Sequence, residues 1–295
     1  MNNLSDNFRG ALFMSISMAG FALNDATVKL ASADLGLFQI ILLRGVFACL
    51  LLTLLAWHRR SLFYRPSRGD TMVLILRATG EVGGTLCFLT ALFNMPIANA
   101  TAILQALPLA VTLAAALFLD EAVGWRRYSA IAVGFIGVLI IVRPGGEGFN
   151  AYALWAVAAV AFIVLRDLST RLLSAGVPTL FTALTSGLAI TVVGGVLALT
   201  EDWAPVSGPS LALTAGAAFF LLFAYIFGVR TMRMGEVSFI SPFRYTVLIW
   251  AMILGFLLFG EVPDGWTLVG SLVVVGMGIY TFYRERRLLK AAAAQ

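Results

Sequence analysis

The chain has 295 residues, 60% hydrophobic and 12% charged, with a mean hydropathy of +0.94 and a formal charge of +5. Soluble domains carry about 25% charged residues, so this composition excludes an ordinary soluble globular protein. The positive surplus does not point to nucleic acid, because the basic residues fall in short loops between apolar segments, the pattern of membrane topology.

Crossing a bilayer core takes ~20 apolar residues. The first such run, Gly10 to Ala31, follows Arg9 and ends near Ala31-Ser32-Ala33, which mimics a signal-peptide cleavage site. It is longer than the usual ~7–15-residue signal core and contains Asn24, Asp25 and Lys29, so it reads as a retained first membrane helix. Further helices are predicted near 35–57, 72–94, 98–119 and 128–142, then near 151–173, 178–199, 210–231, 236–258 and 266–283. The apolar run from Ala98 to Leu119 reads as unbroken. Cys49 and Cys87 both lie inside apolar runs and read as small buried hydrophobes, not as a disulfide or metal ligands.

Short loops make neighbouring helices antiparallel. With the N-terminus inside, the inner loops and tail collect fourteen of the twenty Lys and Arg, including Arg59, Arg60, Arg65, Arg68, Arg126, Arg127, Arg284 and Lys290. Asp34, Glu147, Glu201, Asp202 and Asp264 fall outside. That asymmetry predicts a multi-pass membrane protein with both termini on the cytoplasmic side.

The pattern also repeats. Glu121 and Glu261 lie 140 positions apart, each in an acidic turn after a long apolar helix. Trp125 and Trp266, and Gly137 and Gly278, follow at nearly the same spacing, and Met95-Pro96-Ile97-Ala98 faces Gly235-Glu236-Val237-Ser238. The expected domains are therefore repeats over 1–145 and 146–295, five helices each, the second ending in a short basic tail. An odd helix count inverts the second repeat in the membrane, an architecture of secondary transporters that bind substrate near the midplane. Glu121 and Glu261 read as turn-capping elements. The fold class is an all-α integral membrane protein of ten transmembrane helices in two inverted repeats.

Ala91-Leu92, the Pro96 turn, Ala98, Ala100, Pro108, Glu121 and the glycines of the following helix resemble an EamA domain. That domain occurs twice in ten-helix members of the drug/metabolite transporter superfamily. Lys29 and Leu43-Arg44 stand where such domains commonly have Lys and Arg, and the second half supplies Pro242, Gly260-Glu261, Gly270, Gly276 and Gly278. The resemblance covers essentially the whole chain. It implies alternating access around a central cavity and, in the narrower likeness to YddG-type amino-acid exporters, export of aromatic and other amino acids. No cofactor is implied, and a monomer is expected.

Charges inside spans cost roughly 2.5–3.5 kcal/mol each at mid-helix, so each needs an explanation. Arg77 and Glu81 are one turn apart and face the same side, either as a neutralised structural pair or with Glu81 titrating or meeting a substrate ammonium. Asp25 and Lys29 form a similar four-residue pair beside Asn24, with Lys29 able to snorkel outward. Arg44 has no local acid, needs a partner from another helix and reads as a structural tie. Arg166 and Asp167 point about 100° apart, so Arg171 is the expected partner of Asp167 and Arg166 the freer charge. Arg244, after Ser241-Pro242, is the candidate for a substrate carboxylate, against a structural ion pair.

Tyr245 corresponds to Gln105 under the repeat, placing two hydrogen-bonding side chains at equivalent positions. Phe88, Trp155, Phe219, Phe220, Tyr225 and Trp250 are deep enough to wall a cavity, or to fill the core or face lipid; Trp57, Trp125, Trp203 and Trp266 sit at span ends as interfacial anchors. The candidate substrate-binding set is Asn24, Asp25, Glu81, Gln105, Trp155, Arg166, Phe219, Tyr225, Arg244, Tyr245 and Trp250. Gly83-Gly84, Gly194-Gly195, Gly134, Gly137, Gly270, Gly276 and Gly278 read as helix-packing positions. His58 is the sole histidine, and no metal-ligand spacing, nucleophile elbow or phosphate loop is present, which argues against a membrane enzyme. The leading reading is export of amino acids by alternating access. The alternative is carriage of another small metabolite, such as a vitamin, nucleoside-like compound or drug, ahead of a channel.

Overall fold

The computed structural model describes residues 2–59, 62–119, 124–146, 148–231 and 237–292. Among them, ten helices are long and apolar enough to cross a bilayer, and there is no strand. They are α1 (Phe8–Ala31), α2 (Leu37–His58), α3 (Arg68–Asn94), α4 (Ile97–Phe118), α5 (Trp125–Val142), α6 (Tyr152–Leu172), α7 (Thr179–Thr200), α8 (Gly208–Gly228), α9 (Ser241–Phe259) and α10 (Gly265–Arg284). The predicted helices coincide with these to within a few residues. Asp120, Glu121, Arg233 and the Gly235-Glu236 turn lie outside the described residues.

Two spans are not the continuous helices that their hydrophobicity suggests. Instead of running unbroken to Leu119, α4 is helical over Ile97–Leu104 and again over Leu107–Phe118. Pro108 offers no N–H, and its ring crowds the carbonyl one turn earlier, so the helix opens at Gln105 and Ala106. The Gln105 side chain turns back and donates from Nε2 to the Thr101 carbonyl at 3.0 Å. At the matching place in the second half, a helical turn over Val237–Ile240 precedes α9, whose first residues, Ser241–Tyr245, form a tight 3₁₀ segment before the α-helix Thr246–Phe259 begins. Pro242 lies inside that segment.

The chain forms two compact units, each drawn from both halves of the sequence. The first comprises Met1–Ala22, Met95–Leu154 and Phe223–Gln295; the second comprises Leu23–Asn94 and Trp155–Leu222.

Within the first unit, α5 runs along α10 and α4 along α9. A methyl group at Gly270 would stand 2.6 Å from the Gly137 carbonyl oxygen, and one at Gly137 would stand 3.0 Å from the Gly270 carbonyl. Only hydrogen lets these backbones meet so closely. Gly278 gives way to the Tyr245 ring in the same manner, whereas Gly276 faces open space and is not a packing position. Glu261 caps α4 as expected, its Oε2 accepting from the Ile97 amide at 2.8 Å. Arg143, at the end of α5, pairs with Asp264. Burial works against ionisation of Asp264, but hydrogen bonds from Thr267 and the Arg143 guanidinium outweigh it and hold the carboxyl below its usual range.

Within the second unit, α2 and α3 both pack on α7, and α3 meets α6 at Gly80, where a Cβ would stand 2.7 Å from the Phe162 carbonyl. Glu201, after α7, accepts from the Phe38 amide at 3.1 Å and the Gln39 amide at 3.4 Å, capping α2. Trp57, Trp125, Trp203 and Trp266 are exposed at span ends, as interfacial anchors should be.

Candidate functional site

The second unit carries a chain of charged side chains inside its spans. Glu81 on α3 lies between two guanidiniums: Arg77 Nη2 approaches Oε2 at 3.4 Å from one turn earlier, and Arg166 Nη1 on α6 reaches Oε1 at 3.2 Å. Arg77 also donates from Nε to Thr170 Oγ1 at 2.9 Å and from Nη1 to Ser186 Oγ, tying α3 to α6 and α7. Arg166 reaches Asp167 Oδ1 at 2.8 Å as well. The Arg77–Glu81 pair is as the spacing requires. Arg166 is not the freer charge: its long flexible side chain spans the angle to its neighbour and bridges two acids. A doubly bridged Glu81 is correspondingly poorly placed to meet a substrate ammonium.

Nearer the start of the unit, Asn24 and Asp25 on α1 face Arg44 on α2. Arg44 finds its partner on another helix, as expected, but that partner is an amide: Nη1 donates to Asn24 Oδ1 at 3.3 Å. Asn24 Nδ2 donates in turn to Asp25 Oδ1 at 2.8 Å. Asp25 thus takes the adjacent Asn24 amide as a hydrogen-bond donor, a contact that the four-residue spacing to Lys29 did not indicate. Asn24 and Arg44 are buried and Asp25 is partly buried. Trp155 and Phe219, in the same unit, are exposed on their helices, and Phe219 meets Phe220 edge-to-face at 5.7 Å.

The first unit holds the other candidates. Gln105 and Tyr245 are buried beside the two helix interruptions, the Tyr245 hydroxyl making no hydrogen bond among the described residues. Arg244 is exposed in the 3₁₀ segment of α9 and makes no ion pair among the described residues. Tyr225 is partly buried and Trp250 exposed. Tyr245 also lines an apolar cleft of about 410 Å³ between α9 and α10, with Phe243, Ile249, Leu268 and Leu272. The described residues contain no group of His, Cys, Asp and Glu side chains that could hold a metal ion.

Thr170, Ser186 and the capping carboxylate of Glu201 were not among the sequence candidates. A single hydroxyl in an apolar helix gives no periodic signal, and only the fold shows which charge it serves.

Ten apolar spans, two of them interrupted, with a polar network inside them, define a multi-pass membrane protein. The chain belongs to the EamA-like transporter family, whose model matches residues 8–143. A riboflavin transporter of Rhizobium johnstonii is 30% identical over 213 residues, 69% of this chain and 68% of that protein. An S-adenosylmethionine uptake transporter of Rickettsia felis is 25% identical over 277 residues, covering 93% of this chain and 92% of the relative. A pseudopaline exporter of Pseudomonas aeruginosa is 27% identical over 277 residues, 90% and 93% of the two chains. A crystal structure sharing 20% identity superposes with a TM-score of 0.61 over 95% of this chain and 98% of its own, and has the same fold. The protein is thus a small-metabolite transporter of the inner membrane.

Proposed function

We propose that the protein is a secondary carrier working by alternating access, with repeats 1–145 and 146–295 inverted in the membrane and both termini cytoplasmic. The observation that carries this reading is the pair of interrupted helices. The α4 break at Gln105 and the end of the α9 3₁₀ segment at Tyr245 stand 140 residues apart, the offset of the sequence repeat. Discontinuous helices at corresponding positions of two halves are how carriers present backbone and polar groups to cargo. Arg244, exposed at one of these breaks, suits an anionic group on that cargo.

The cargo is a small polar metabolite. Relatives named for S-adenosylmethionine, riboflavin and pseudopaline favour this broad class over a dedicated amino-acid exporter. Purified protein in proteoliposomes, offered labelled riboflavin, S-adenosylmethionine and amino acids with and without a pH gradient, tests it. Saturable uptake with counterflow of at least one compound is expected. Flux that never saturates, or none for the whole panel, overturns the carrier reading.

A further inference from the structure

We infer that the loop between α2 and α3 docks on anionic phospholipid, the Phe63 ring entering the headgroup layer while Arg59, Arg65 and Arg68 take lipid phosphates. The inference rests on the orientation proposed above, which puts this loop at the cytoplasmic leaflet.

Phe63 is 92% exposed, more than any other large apolar side chain among the described residues. The chain beside it is firmly held. The Tyr64 ring stands edge-on to Phe181 at 5.5 Å. Ser67 and Asp70 cap the start of α3 reciprocally: the Ser67 hydroxyl donates to Asp70 Oδ2 at 2.7 Å and accepts from the Asp70 amide at 3.0 Å. Asp70 is buried, and its Oδ1 accepts from the Ser174 amide at 3.0 Å, fastening α3 to the α6–α7 corner. With its neighbours held in this way, Phe63 projects from the protein, and whatever covers its ring lies outside the chain.

A second copy of this corner points to the cover. Moved by the 140 residues of the sequence repeat, Ser67, Asp70 and Ser174 become Ser207, Ser210 and Asp34. These three make the matching contacts at the start of α8, with serine and acid exchanged. The Ser207 and Ser210 hydroxyls meet at 2.7 Å, and Ser210 Oγ donates to Asp34 Oδ2 at 2.9 Å. The same shift turns Phe63 into Trp203, one of the exposed interfacial anchors. Phe63 thus holds the place of an aromatic at the membrane surface, on the opposite face.

What surrounds the two rings differs. Arg59, Arg65 and Arg68 are exposed and make no ion pair among the described residues. The matching outer positions are Leu199, Pro205 and Gly208, with Glu201 and Asp202 beside Trp203. A guanidinium forks onto phosphate oxygens, and the cytoplasmic leaflet is the one rich in anionic lipid. Ring and basic rim together fit anionic phospholipid; the outer loop fits a membrane surface without that charge preference.

Photocrosslinking in nanodiscs tests this at the loop itself. The full-length protein, with p-benzoylphenylalanine in place of Phe63, is reconstituted in equimolar phosphatidylglycerol and phosphatidylcholine, irradiated, and its adducts are identified by mass. Lipid adducts should form, with phosphatidylglycerol favoured about fivefold or more, the worth of one basic side chain at an anionic surface. Adding Arg59→Gln, Arg65→Gln and Arg68→Gln together should bring that ratio to about twofold or less while lipid adducts persist. The same probe in place of Trp203 should give lipid adducts at a ratio near one. Absence of lipid adducts at position 63, a ratio near one there, or an equal preference at position 203 overturns the inference. So does a triple variant that keeps the full ratio, or irradiation of intact cells that yields a polypeptide adduct at position 63 in place of lipid. If the triple variant does not reconstitute, the comparison of positions 63 and 203 decides alone. Nanodiscs present the same lipids on both faces, so neither a reversed topology nor an absence of carrier flux alters the ratio, and those readings fail separately.

Discussion

Glu81 shows how one carboxylate can be read differently once its neighbours are known. Its spacing from Arg77 is legible in the sequence, and so is its depth in a span. The second guanidinium is not, because Arg166 lies 85 residues away and arrives only when α6 packs on α3. With two cations sharing one acid, Glu81→Gln leaves Arg77 and Arg166 with less compensation. The substitution should lower stability by roughly 1–3 kcal/mol, after allowance for the partial exposure of these side chains. Thermal unfolding in detergent reads this, and adding Arg166→Gln to the same chain should recover part of the loss. An unchanged unfolding temperature in Glu81→Gln would contradict a role for Glu81 in holding the helices together. Asp25, by contrast, stood by its spacing either beside Lys29 or near a Lys29 that reaches outward, and the structure shows it bonded to Asn24. Local periodicity cannot rank a neighbouring amide against an ammonium one turn away; side-chain placement can.

At the scale of elements, hydrophobicity located the ten spans but not their internal breaks. An apolar stretch such as Leu104 to Leu113 looks the same whether its backbone is continuous or opened, and Pro108 was the signal that should have divided it. The caps show the same limit. Glu261 was legible as a capping residue, but not the helix it caps, which begins at Ile97. Removing its carboxylate in Glu261→Ala should weaken the first turn of α4 by about 1 kcal/mol. Amide hydrogen exchange over residues 97–100 should accelerate about fivefold if that turn opens locally. Glu261→Gln, which keeps an acceptor oxygen, should show a smaller change. Equal exchange in wild type and Glu261→Ala would mean that other contacts fix this helix end.

For the molecule as a whole, orientation rests on the distribution of basic residues. Cys49 and Cys87 are both buried and unpaired, so a cysteine introduced on a loop can be labelled against a low background. Phe63→Cys, at a position 92% exposed between α2 and α3, should react with a membrane-impermeant thiol reagent from the cytoplasmic face only, and Asp202→Cys from the opposite face only. The reverse pattern would invert the topology. The helix count was readable from sequence because hydrophobic length is a local property, and the family because the Pro96 turn, Pro108 and Glu121 that carry the resemblance lie in one short stretch. Which helices share a compact unit was not readable, since that depends on contacts such as Gly137 with Gly270 and Gly80 with Phe162 that join distant stretches.

The carboxylate caps also set an order for biogenesis. The amides of Phe38 and Gln39 leave the ribosome about 160 residues before Glu201, and that of Ile97 leads Glu261 by 164. At synthesis rates of about 5–20 residues per second, these helix ends wait roughly 8–33 s for their partners. During that interval the first turns of α2 and α4 lack their carboxylate partners, and water at the span ends must serve those amides instead. A translational pause between α5 and α6 would lengthen that interval. Severed at residue 145, the first fragment would lack both caps, and it should accumulate only when the second fragment is made in the same cell.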